Sequence, residues 1–185
     1  MISPFSLSLA SLKRQEGERI TWDNTLESPT VIGRDVLSVP EKSPLEISLS
    51  LSSVSEGVYV QGTVTASLVG ECSRCLKPLN ETRTFDIAEL VFYPERRAAL
   101  IDDGDEDAAE APVICDDHID LEPLIRDAIV LALPFQPLCR DDCAGLCPEC
   151  GQAWDELPDD HAHEAPYNPQ FDALADLEAQ LREEQ

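Results

Sequence analysis

Cysteines and histidines carry the chemistry this sequence offers. Two residues separate Cys72 from Cys75, three separate Cys139 from Cys143, and two separate Cys147 from Cys150, with Gly151 next. His161 and His163 form a further close pair. Zinc takes thiolates and imidazoles in such pairs, because a Cys-x2-Cys turn presents two sulfurs to two corners of a tetrahedron. Gly151 is free to take the left-handed conformation that closes the second turn. Four pairs make eight ligands, enough for two tetrahedral zinc ions.

Two groupings are open. In one, Cys139, Cys143, Cys147 and Cys150 hold a single ion, leaving Cys72, Cys75, His161 and His163 over. Only three residues then link Cys143 to Cys147, so two knuckles must fold back over a very short connection. In the other, Cys72 and Cys75 meet Cys139 and Cys143, while Cys147 and Cys150 meet His161 and His163. Two positions apart in extended chain, the histidines project to one side, and ten residues between Cys150 and His161 give room for the return. We prefer this grouping, since it leaves no close-set ligand unexplained. Plainer readings compete for parts of it. Cys72 and Cys75 can be a redox pair, although the strand-then-helix context of such pairs does not follow them. His161 and His163 can be solvated residues of an acidic loop. Cys115 reads as a small buried hydrophobe, and His118, beside Asp116 and Asp117, as a surface residue.

A catalytic zinc keeps an open position beside a general base, whereas ligands counted four and four describe closed, structural sites. The sequence has no phosphate-cradling glycine loop and no nucleophile elbow. The expectation is a protein that is not an enzyme. A zinc-dependent hydrolase or nuclease acting on RNA, or a redox-sensing Cys-x2-Cys module, is the rival.

Charge narrows the partners. The net charge is −24, and it is unevenly spread. Residues 1–101 hold 10 Lys and Arg against 13 Asp and Glu, while residues 102–185 hold 3 against 24. Such a surface repels a phosphate backbone and suits a basic protein. No run approaches the roughly 18 apolar residues of a membrane span. Lys13 and Arg14 follow the first apolar residues rather than precede them, unlike a secretory signal. A cytoplasmic location is expected, and close-set thiols in that reducing compartment favour metal over disulfides.

The elements that must position the ligands read as α+β. Residues 2–30 are weakly patterned, and Val31–Val39 reads as one strand ended by Pro40. Leu45, Ile47, Leu49 and Leu51 alternate with polar residues, as do Val58, Val60, Gly62, Val64, Ala66 and Leu68, so two strands joined at Ser55–Gly57 should form a hairpin. A third strand is expected over 82–93, with a bulge near Ala88 and Glu89 where its alternation changes face. Six acids among residues 102–110 describe an acidic mobile loop. A short strand at Val113–Cys115 comes next. Asp120 is a fitting N-cap for a helix over 120–133, with Pro123 in its first turn and an all-apolar end, Ala128–Leu133, buried under the sheet. Asn168 and Pro169 open a last helix striped by Phe171, Leu174, Leu177 and Leu181. The aliphatic core and 14 prolines give an antiparallel β-sheet or partly open barrel with one packed helix and a zinc-stapled C-terminal region. The expected divisions are 1–101 (β-rich), 102–112 (loop), 113–138 (helix on the sheet) and 139–185 (Cys/His cluster and final helix).

Three blocks of this sequence resemble one family. They are ECSRCLKPL at Glu71–Leu79, IDLEPLIRDAIVLALP at Ile119–Pro134 and PLCRDDCAGLCPECG at Pro137–Gly151, followed by NPQFDAL at Asn168–Leu174. In order and spacing they are similar to the YceD family, the large ribosomal RNA subunit accumulation proteins. The resemblance implies a non-enzymatic ribosome biogenesis factor supporting synthesis, processing or stability of 23S rRNA, and supplies no catalytic residues. Many relatives carry Cys-x-Cys where this chain has His161 and His163, an exchange of one zinc ligand for another. The expected partner is the large-subunit ribosomal precursor, reached through a basic ribosomal protein or through rRNA directly. For direct contact, Arg74, Lys77 and Arg83 beside the first knuckle are the candidates.

Overall fold

A computed structural model describes residues 3–163. Its elements, in chain order, are β1 (Ser6–Ser8), β2 (Arg19–Glu27), β3 (Ile32–Arg34), β4 (Leu37–Val39), β5 (Pro44–Ser53), β6 (Gly57–Glu71), β7 (Pro78–Phe92), α1 (Pro94–Asp102), β8 (His118–Asp120) and α2 (Leu121–Ala132). Contacts divide the chain into two compact units, residues 1–143 and 144–185. All ten elements belong to the first.

Alternation builds the main sheet. In β5, Leu45, Ile47, Leu49 and Leu51 are buried while Glu46 and Ser48 are exposed, and in β6 Val58, Val60, Val64, Ala66 and Leu68 are buried. The strands pair antiparallel with Leu51 opposite Val60 and Leu45 opposite Ala66, so like faces meet. Gly62 breaks the aliphatic row for a steric reason. A Cβ there would lie 2.0 Å from the Ser48 carbonyl oxygen, and its φ is +156°. β7 pairs along all of β6, β2 pairs with β5, and β4 joins β6 and carries β3. The six strands form an antiparallel, open sheet, and β1 with β8 makes a small second one. The fold is thus α+β, as the sequence implies, and it is a sheet rather than a closed barrel.

Several expectations need correction. Residues 2–30 supply β1 and β2. At a sheet edge the inward residues of β2, Ile20, Trp22 and Leu26, are only half-buried and Asn24 interrupts them, which blurs the period. The segment 31–39 is a hairpin of two short strands, turning at Asp35 and Val36. No bulge interrupts β7, whose register with β6 runs unbroken from Pro78 opposite Glu71 to Phe92 opposite Gly57. The alternation falters because Glu89 occupies the face of buried Phe85, Ile87 and Val91 yet is exposed. Val113–Cys115 makes isolated bridges to Phe92 and His118 instead of a strand. α1 escapes a sequence reading because it buries no residue. The acidic stretch holds a single 3₁₀ turn at Asp107–Ala109, where Arg97 donates to the carbonyls of Ala108 and Ala109. Cys115 is exposed, not buried. It opens a tight turn in which Asp116 and Asp117 both have positive φ, closed by paired hydrogen bonds with His118. The last helix expected from Asn168 lies outside the described residues.

α2 follows its sequence closely at the start. The Asp120 carboxylate accepts a hydrogen bond from the Glu122 backbone N–H at 3.1 Å, capping the first turn. Leu121, Leu124, Ile125 and Ile129 then face the core, packing across β7, β3 and β1. Its end is less covered than expected, since Leu131 is 85% exposed. Only one side of the helix meets the sheet, and the chain re-enters the core at Leu133 after the helix has ended. Ile129→Ala should lower unfolding free energy by about 2–5 kcal/mol, and Leu131→Ala by less than about 0.5 kcal/mol, in urea titrations. Comparable losses would place Leu131 in the core.

Candidate metal centres

The first centre grows from the longest hairpin. β6 ends at Glu71 and β7 begins at Pro78, so Cys72 and Cys75 occupy the connection between two fully paired strands. The Leu76 N–H donates to the Cys72 carbonyl, and the Cys72 N–H donates to the Lys77 carbonyl, both at 2.9 Å. This closure forces Leu76 to φ +59°, a left-handed conformation that costs a side-chain-bearing residue about 1 kcal/mol. The second knuckle repeats the pattern with a better residue. The Gly151 N–H donates to the Cys147 carbonyl, the Cys147 N–H to the Gln152 carbonyl, and Gly151 has φ +71°.

Two polar contacts bring the distant thiols to the first knuckle. The Ser73 N–H donates to the Pro137 carbonyl at 2.8 Å, and the Arg74 guanidinium donates to the Cys143 carbonyl at 2.8 Å. Cys72 Sγ then lies 3.8 Å from Cys143 Sγ, and Cys75 Sγ lies 3.6 Å from Cys139 Sγ. All four sulfurs are within 4.8 Å of one another. A disulfide would need about 2.05 Å between sulfurs. Zn–S bonds of about 2.3 Å set tetrahedral edges near 3.8 Å, so the quartet fits an ion of that size. Cys72, Cys75 and Cys143 are buried and Cys139 is exposed.

The second centre lies in residues 144–163. Leu146 bridges Ala153 across the knuckle, and a 3₁₀ turn at Trp154–Glu156 starts the return. Cys147, Cys150, His161 and His163 place one ligand atom each within 4.8 Å of the others, and Cys150 Sγ lies 3.7 Å from His161 Nε2. The His161 ring packs edge-on between Trp154 and His163, with centroids 5.5 and 4.5 Å away. Only Cys147 is fully buried, so this quartet is the more open to solvent.

The side chains therefore gather as in the split grouping. Neither Cys115 nor His118 belongs to a quartet. Arg74 is committed to the Cys143 carbonyl, Arg83 pairs with Glu81 at 2.8 Å, and Lys77 also interacts within the chain. Sequence reading missed the bond from Arg74 to the Cys143 carbonyl and the strained Leu76. Aligning the two knuckles would have exposed Leu76, since it stands where Gly151 does.

Packed thiols without a cation titrate unequally. Burial pushes Cys72 up, but backbone N–H groups of Cys75, Arg74 and Cys139 and the Cys75 side chain outweigh it and bring the pKa to about 6. Cys139 is pushed up to about 12 by desolvation and then by the thiols of Cys75, Cys143 and Cys72. Cys147 is lowered, chiefly by the Cys150 backbone N–H, against desolvation. The Cys72 thiolate gives a cation a first ligand at the first knuckle, and a bound cation favours ionising the remaining thiols.

An α+β protein with one quartet of four cysteines and one of two cysteines and two histidines, each able to hold a metal ion, is the class that fold and site define. The chain belongs to the YceD family: residues 60–178 match the model of the large ribosomal RNA subunit accumulation protein YceD, a span containing both quartets. The chain is 39% identical over 175 residues to the uncharacterized protein Rv2926c of Mycobacterium tuberculosis, covering 95% of this chain and 82% of that one. It is 37% identical over 177 residues to the uncharacterized protein ML1660 of Mycobacterium leprae, covering 96% and 79%. It is 23% identical over 156 residues to the uncharacterized protein YlbN of Bacillus subtilis, covering 83% and 85%. No solved structure matches the chain.

With Cys147→Ser and Cys150→Ser isolating the all-cysteine quartet, cobalt affinity should fall with acidity. Its slope against pH should steepen by one proton below about 6, where Cys72 too must ionise. An unchanged slope there would remove the Cys72 thiolate from the account. In the intact chain, the more open Cys147 quartet should lose metal to a chelator first. Simultaneous loss from both, followed by cobalt absorption, would contradict the difference in burial.

Proposed function

We propose that this chain is a non-catalytic, cytoplasmic ribosome biogenesis factor that supports large-subunit (23S) rRNA accumulation, its two quartets holding structural zinc. Family membership supports the rRNA role. The observation that carries the non-catalytic part is the closure of both quartets. Each supplies four Cys or His ligands, and among the described residues no Asp or Glu joins either. A hydrolytic zinc needs an open position and a base near it. Four sulfurs, or two sulfurs and two nitrogens, on a tetrahedron suit zinc. Close-set thiols that serve as metal ligands fit a reducing compartment.

The partner we favour is a basic protein of the large-subunit precursor rather than rRNA itself. A net charge of −24 opposes a phosphate backbone, and Arg74 and Arg83 are already engaged by a carbonyl and a carboxylate. In cells depleted of the protein, mature 23S rRNA should fall relative to 16S rRNA. Wild-type chain should restore it, and Cys72→Ser should fail. The zinc-loaded protein should leave a labelled 23S rRNA fragment intact and bind it weakly at physiological salt. Cleavage abolished by a chelator would replace this reading with a nuclease. Reversible Cys72–Cys75 oxidation with metal release would replace it with a redox module.

A further inference from the structure

Glu89 lies on the inward face of β7, between buried Ile87 and Val91, and is nevertheless exposed. Two adjoining depressions of about 410 and 370 Å³ open there between β7 and α2, sharing Glu89, Leu124 and Asp127. Their apolar lining is Val91, Pro112 and Leu124 at one end and Ala128 and the exposed Leu131 at the other. Carboxylates line them too: Asp86, Glu89, Glu110, Asp120 and Asp127, and among the described residues no Lys or Arg does. Elsewhere in this unit Glu41, Glu81, Glu95, Asp117, Glu122 and Asp142 each meet a cation. Of the lining carboxylates, Asp120 caps α2, and no described cation pairs with the other four.

We propose that this groove is a docking site for a basic amphipathic segment of a partner protein. Aliphatic side chains would cover Leu124, Ala128 and Leu131, and Lys or Arg heads would reach the lining carboxylates. The choice of occupant rests on charge complementarity. Gathered carboxylates repel one another and attract a polycation, which steers approach and fixes register. Lys and Arg also lay an aliphatic stem on an apolar surface while the charged head stays at the wet edge. A nucleic acid meets only repulsion from these carboxylates. The proposal deepens the partner reading above by giving it a surface. It rests on that reading only for the partner's identity in the cell.

The test uses the full-length, metal-loaded chain and a short fluorescein-labelled peptide of alternating lysine and leucine, followed by anisotropy at physiological ionic strength, where charges remote from the groove are screened. Asp86→Asn, Glu89→Gln and Asp127→Asn combined should weaken binding about tenfold or more. The same charge removed elsewhere, by Glu16→Gln, Glu27→Gln and Glu46→Gln combined, should change it less than about twofold. Leu131→Asn should weaken it about threefold or more. In the unaltered protein, the peptide should slow hydrogen exchange in residues 86–91 and 124–132. Equal weakening by both triple variants, indifference to Leu131→Asn, protection elsewhere, or no binding at all would each overturn the groove. A peptide result against it would leave the rRNA-accumulation reading standing, since that is measured separately by the 23S to 16S ratio.

Discussion

The convergence of Cys139 and Cys143 on the Cys72 knuckle is the constraint on which residues 1–143 depend. Cys72 and Cys143 are separated by 71 residues, and the whole of β7, α1, α2 and the acidic stretch lie in that loop. Tying such a loop through a shared ion removes about 4 kcal/mol of chain entropy from the unfolded state, if a metal clip follows the argument for a disulfide. The tie does not stand alone. Ser73 and Arg74 also hold the incoming segment by its carbonyls. Strain at Leu76 accompanies this closure, and Gly151 avoids it at the second knuckle.

The sheet explains why the site can be so exacting. β6 and β7 pair without a break over their full length, and their connection inherits that rigidity. α2 covers one face of the sheet, where the aliphatic rows of β5 and β6 point, and the other face is polar. Because α2 presents only one side to the sheet, an apolar strip at its far flank meets acidic side chains. The same packing that orders the core thus leaves a surface with the chemistry to hold a basic segment. In the reading proposed above, the two quartets able to hold a metal keep shape, and the open groove is the part that meets a partner.

Much of this was legible in the residues. Spacing favoured both ligand quartets over the compact grouping of 139–150, which left four close-set ligands without a role, but spacing did not exclude that grouping. The β5–β6 hairpin and the Asp120 cap followed from period and cap chemistry. What stayed hidden has physical reasons. β2 is an edge strand with an interrupted apolar row, and α1 buries nothing, so neither has a period to detect. The supposed bulge in β7 was an acid on an inward face, a feature of surface shape that no periodicity records. Cys115 looked like core by residue type, but the turn at Asp116 and Asp117 directs it outward. Arg74 looked like a free cation until its carbonyl partner, 69 residues away, was in view.

The central claim is that eight side chains form two closed quartets, and X-ray absorption at the zinc edge of the purified, full-length protein tests it most directly. One all-cysteine centre and one mixed cysteine–histidine centre predict two zinc ions per chain, with an average first shell of three sulfurs to one nitrogen and sulfur distances near 2.3 Å. A single ion surrounded by four sulfurs, or a shell containing oxygen from water, would contradict it.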